Sequence, residues 1–73
     1  MKNDNVFGRN VLELLENENM TQHSLASHIG IKDGSLSRYI NGQREPKLSV
    51  VKAIAKYFGV SVDWLVFHEG VGE

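Results

Sequence analysis

Few side chains in this sequence are of a type that does covalent chemistry, and their spacing argues against it. The three histidines are His23, His28 and His68. His23 and His28 are five positions apart, so on a helix they miss the shared face that ligands at i and i+4 would need. No His-Glu-x-x-His pattern occurs, and there is no cysteine to act as nucleophile, zinc ligand or disulfide partner. Glu13, Glu16 and Glu18 read as a solvated helix face, and the glycines form no phosphate-cradling loop. No catalytic residue, metal site or cofactor is expected, and the chain does not read as an enzyme.

What is left is noncovalent recognition, and one segment is built for it. Within Asp33–Asn41, the apolar residues Leu36, Tyr39 and Ile40 fall on one side of a helix, and Gly34, Ser37, Arg38 and Asn41 fall on the other. The outer side is polar and carries one long side chain, Arg38. The major groove of B-DNA admits a single α-helix of this kind, in which an arginine can donate two hydrogen bonds to a guanine and an aspartate can accept from the amino group of cytosine. Thr21 and Gln22 open the preceding helical segment, whose free backbone N–H groups and partial positive charge favour a phosphate. Arg44 and Lys47 lie in the loop that follows, where they would neutralise further phosphates.

The elements that must position these groups can be drawn from local signals. A first helix is expected from about Val6 to Glu18, with Phe7, Val11, Leu14 and Leu15 as its apolar stripe and Asn19 as a left-handed stop. Thr21 N-caps a second, Gln22 to about His28, with Leu25 and Ile29 inside and Gly30 at its end. Only Gly30-Ile31-Lys32 separates it from the third helix, Asp33 to Ile40, which Asn41-Gly42 terminates. Two short amphipathic helices joined this tightly are the sequence signature of a helix-turn-helix. A fourth helix, Leu48 to Phe58, has the stripe Leu48, Val51, Ile54, Ala55 and Phe58 and ends at Gly59. Ser61 N-caps a short fifth helix with Asp63 in its first turn.

Size and composition set the frame. Seventy-three residues with 41% hydrophobic content support one domain, residues 1–73, with a core over about 6–67 and a tail, 68–73, expected to fray. The longest apolar run, Trp64 to Phe67, is far too short to span a membrane. The polar start Met1–Asn5 is unlike a signal peptide, so a cytoplasmic address is expected. The net charge of −1 argues against indiscriminate polyanion binding. The cations are nevertheless gathered in the middle third, where Lys32, Arg38, Arg44, Lys47, Lys52 and Lys56 face only Asp33 and Glu45.

The stretch Met20 to Leu65 resembles the lambda-repressor/Cro type of helix-turn-helix, the XRE family. The matching text is Met-Thr-Gln-x-x-Leu-Ala-x-x-Ile-Gly-Ile at 20–31 and Leu-Ser-Arg-Tyr-x-Asn-Gly at 36–42. It continues with Pro46 and Ala-x-x-Phe-Gly-Val-Ser-x-Asp-Trp-Leu at 55–65. The resemblance implies an all-α, compact five-helix domain whose second and third helices bind double-stranded DNA, in a homodimer on a two-fold operator. It implies a transcriptional regulator, of phage- or mobile-element-repressor type, acting by occluding or touching RNA polymerase. Carried over by position, Lys32, Asp33, Gly34, Ser37 and Arg38 would read bases or touch the backbone. Gln22 with Thr21, and the loop residues Asn41, Gln43, Arg44 and Lys47, would hold phosphate.

Several positions depart from the family pattern. Lys32 replaces the usual Ser or Thr cap of the reading helix, and Gly34 removes a side chain from a typical base-contact position. Leu15 and Ile40 replace an Arg and a Glu that pair in many members, so an apolar contact is expected there. Val62, Trp64, Val66 and Phe67 are more apolar than so small a core requires, which suggests a dimer interface. The alternative is an antitoxin or adaptor that uses the same fold mainly to bind a protein partner. An exposed apolar fifth helix without self-association would point that way.

Overall fold

In a computed structural model, which describes residues 5–69, the chain forms five helices: α1 (Val6–Asn17), α2 (Gln22–Ile29), α3 (Asp33–Ile40), α4 (Leu48–Phe58) and α5 (Val62–Phe67). Their starts follow local capping chemistry. The Thr21 hydroxyl accepts from the Ser24 N–H at 3.0 Å, and the Ser61 hydroxyl accepts from the Trp64 N–H at 2.9 Å. Lys32 and Lys47, at the heads of α3 and α4, supply no side-chain cap.

The ends of the first four helices share one device. Asn19, Gly30, Gly42 and Gly59 each adopt a positive φ, between 53° and 78°. In each case the next N–H reaches back five residues: Met20 to Leu15, Ile31 to Ala26, Gln43 to Arg38 and Val60 to Ala55, at 2.9–3.0 Å. This left-handed closure satisfies carbonyls that the helix leaves unpaired. It also turns Met20, Ile31 and Val60 back onto the core.

Every helix contributes at least one residue with no exposed surface: Val11, Leu25 with Ala26, Leu36, Ile54 and Leu65. Burying a valine, leucine or isoleucine side chain stabilises a fold by about 1.5–3 kcal/mol. Around them, α1 packs on α3 and α5, and α2 packs on α3 and α4. Leu15 and Ile40, where a pair of charges would otherwise stand, are both buried in this same apolar cluster.

Two buried or half-buried asparagines tie α1 to the rest. Asn10, 1% exposed, aims its amide nitrogen at the carbonyl oxygens of Trp64, Leu65 and His68, at 3.0–3.1 Å. Those carbonyls lie in the last turn of α5 and just after it, so Asn10 caps that helix from outside. The Asn5 amide accepts the Gly8 N–H and donates to the Ile40 carbonyl, joining the head of α1 to the tail of α3.

One expectation is corrected. Leu48 does not lie on the buried stripe of α4: it is 65% exposed, whereas Val50 is buried. Leu48 is the first residue of α4 and projects past the elements that cover the rest of that face, leaving it at the rim of a groove. At the other end of the chain, His68 is fastened by the Asn10 hydrogen bond to its carbonyl, and its ring stacks on Trp64 at 4.5 Å. Of the rest of the tail expected to fray, Glu69 accepts a hydrogen bond from the Arg9 guanidinium at 3.1 Å through its carbonyl, and residues 70–73 lie outside the described residues. No described helix is long and apolar enough to cross a membrane.

Candidate nucleic-acid interface

The physical requirement for a reading helix is a polar face in solvent with an apolar face held from behind. α3 meets it. Leu36, Tyr39 and Ile40 are buried at 0%, 5% and 2% exposure, while Asp33, Gly34, Arg38 and Asn41 are exposed and Ser37 is half-exposed. α1 and α2 supply the backing.

Along that face the side chains are arranged in a short row. The Arg38 guanidinium runs back toward the head of α3, where its Nη1 nitrogen lies 3.7 Å from the place a β-carbon on Gly34 would take. A β-carbon there would meet the guanidinium at ordinary van der Waals distance, so Arg38 lies along the helix surface directly over Gly34. Ser37 accepts a hydrogen bond from the Asn41 amide at 3.3 Å, one turn further on. Asp33 opens the helix, where its charge complements the helix dipole. Lys32, just before it, is exposed and in extended conformation.

Candidate phosphate ligands flank this row at both ends. At the head of α2, Thr21 caps Ser24, and the Gln22 and His23 N–H groups have no partner within the helix. At the tail of α3, Asn41, Gln43, Arg44 and Lys47 are all exposed. The Gly42 turn fixes where this loop departs, through the Gln43 N–H bond to the Arg38 carbonyl.

Sequence reasoning weighed His23 only as a metal ligand and missed its partner. Its Nδ1 nitrogen lies 2.7 Å from Oδ2 of Asp33, linking the heads of α2 and α3. Nothing in the spacing of ten residues signals that pairing, which depends on the angle between two helices.

The four residues expected at a dimer interface do not share one face. Val62 and Val66 line a groove of about 740 Å³ with Val6, Pro46 and Leu48. Trp64 is half-buried against His68, and Phe67 is 70% exposed.

Comparison with known proteins bears on this geometry. A family model described as helix-turn-helix matches residues 11–65. The chain is 31% identical over 61 residues to the uncharacterized HTH-type transcriptional regulator YvzC of Bacillus subtilis, covering 84% of this chain and 79% of that one. It is 30% identical over 61 residues to the cryptic phage CTXphi transcriptional repressor RstR of Vibrio cholerae, again over 84% of this chain but 55% of the relative. A third relative, the HTH-type transcriptional activator BcrR of Enterococcus faecalis, is 29% identical over 63 residues, or 86% of this chain, which spans only 31% of its length. Among solved structures, the SOS-response repressor LexA from Eubacterium rectale superposes with a TM-score of 0.81 at 22% identity, over the whole of this chain and 83% of that one. Likeness at that identity speaks for the fold.

Proposed function

This chain belongs to the helix-turn-helix family of the Cro/C1 type, whose members are DNA-binding transcriptional regulators and not enzymes, and we propose that it reads a specific operator as a dimer. The observation that carries the reading is the division of α3: Arg38, Gly34 and Asp33 in solvent, with Leu36, Tyr39 and Ile40 locked behind them. A helix so divided enters the major groove while the elements at its two ends meet the phosphates.

In this reading Arg38, Ser37, Asp33 and Lys32 face base edges. The head of α2 and the Asn41–Lys47 loop grip the backbone on either side. Two copies would present two α3 helices about one helical turn, roughly 34 Å, apart on a two-fold site. The groove edged by Val62, Val66 and the exposed Leu48 is the apolar surface on which the second copy would close. The Vibrio relative, named a cryptic phage transcriptional repressor, supports the repressor role over that of an activator.

Selection of bound sequences from a pool of random duplexes tests this directly. The expected product is a two-fold symmetric site with half-sites one turn apart. Enrichment of no sequence, or of a single unpaired half-site, refutes the dimeric operator reading.

A further inference from the structure

His23 is the second residue of α2 and Asp33 the first of α3, and their side chains meet at 2.7 Å. Among the described residues no other hydrogen bond joins a side chain of α2 to one of α3. Both side chains are open to solvent, at 78% for His23 and 60% for Asp33. An exposed pair of this kind adds little to folding stability. Its place in the molecule gives it another use.

Asp33 stands at the leading end of the polar face of α3. A carboxylate is an acceptor only, and in the major groove an acceptor matches the amino group of cytosine. Left alone, it would also be a mobile anion approaching a polyanion. The imidazole removes the mobility. With a hydrogen on Nδ1 it donates to Oδ2, which fixes the carboxylate's direction and leaves Oδ1 as an acceptor for another donor.

We propose that His23 is a specificity-determining residue that acts through Asp33, holding that carboxylate as a fixed acceptor for a base amino group. The inference rests on the reading of α3 as the groove-entering helix. His23 is a positioning residue here, and Asp33 is the group that touches the base.

The test uses the full chain and its selected duplex, with the base pair opposite Asp33 changed in turn to the other three, and affinity measured by fluorescence anisotropy at fixed salt. The proteins are wild type, H23A, H23N, D33N and the H23A/D33N double variant. Circular dichroism should show all five folded alike, since both side chains are exposed. D33N and H23A should each flatten the preference at the same base pair, by about tenfold for a contact of this class. The double variant should be no worse than either single one, as expected for residues acting as a unit. H23N should restore the preference, because its amide nitrogen takes the place of Nδ1. A preference lost in D33N but kept in H23A overturns the inference and leaves the operator reading intact. So does a uniform loss in H23A on all four duplexes, which would make His23 a phosphate contact. Wild-type protein with no base preference anywhere overturns the operator reading, and this inference with it.

Discussion

The α-carbon of Gly8 sits so close to the carbonyl oxygen of Ile40 that a methyl group upon it would overlap that oxygen. The contact lets α1 lie against the tail of α3, where Asn5 bonds both the Gly8 N–H and the Ile40 carbonyl. Replacing Gly8 by alanine should raise helix propensity by about 0.5–1 kcal/mol in isolation. Here the steric cost prevails, because the opposing atom is backbone and cannot rotate away. Gly8→Ala should lower stability by about 1–3 kcal/mol net. A urea denaturation midpoint equal to or above wild type would refute the close approach.

Asn10 offers a second test of how α1 holds the molecule together. Its amide is the partner of three carbonyls in and after the last turn of α5. Leucine has the same branched shape but is bulkier and has no donor, so Asn10→Leu takes the Asn10 hydrogen bond from the Leu65 and His68 carbonyls, while the Trp64 carbonyl keeps the His68 N–H. The expected loss is about 1–3 kcal/mol. Asn10→Asp should lose more at neutral pH, since an ionised carboxylate would face three oxygens with no hydrogen to share. Thermal melts followed by Trp64 fluorescence read both, because Trp64 lies on the helix being released.

What the sequence made legible here was local chemistry. Thr21, Ser61, Asn19, Gly30 and Gly59 mark helix ends through bonds to residues three to five positions away, so α3 and α4 fall where periodicity and stops put them. The polar row on α3 is legible for the same reason, since helix geometry alone decides which residues oppose Leu36 and Tyr39. Leu48 fits its stripe by spacing, yet burial also requires a neighbour to cover it, and no local signal reports that. Asn5, Asn10 and His23 act on partners 35, 54–58 and 10 positions away. Those partnerships come from how helices cross, which no periodicity encodes.

Lys32 stands where a capping side chain would serve folding, and the price is measurable. Its backbone has the extended conformation of an N-cap, φ −76° and ψ 147°, but its side chain accepts no hydrogen bond. Serine at this position fits that geometry and would accept from the head of α3. Lys32→Ser should stabilise the domain by about 0.5–1 kcal/mol. The same change removes a cation beside the proposed groove, so DNA affinity should fall while the thermal midpoint rises. Affinity and midpoint rising together would remove Lys32 from the interface.

Arg38 and Lys47 separate the two kinds of contact that the proposed interface needs. Arg38 lies along the polar row of α3, whereas Lys47 lies in the loop beyond it, exposed and just ahead of α4. A base contact is lost only on the sequence that offers it; a phosphate contact is lost on every sequence. Arg38→Ala should therefore relax preference at one base pair, at a cost of about 1–3 kcal/mol on the selected duplex and much less on a scrambled one. Lys47→Ala should weaken both duplexes by the same factor and reduce the slope of log affinity against log salt by about one unit. Titrations of each variant on both duplexes across a salt series decide the matter. If Arg38→Ala loses the same factor on the scrambled duplex as on the selected one, its guanidinium is holding phosphate and the base-reading role passes to the rest of the row.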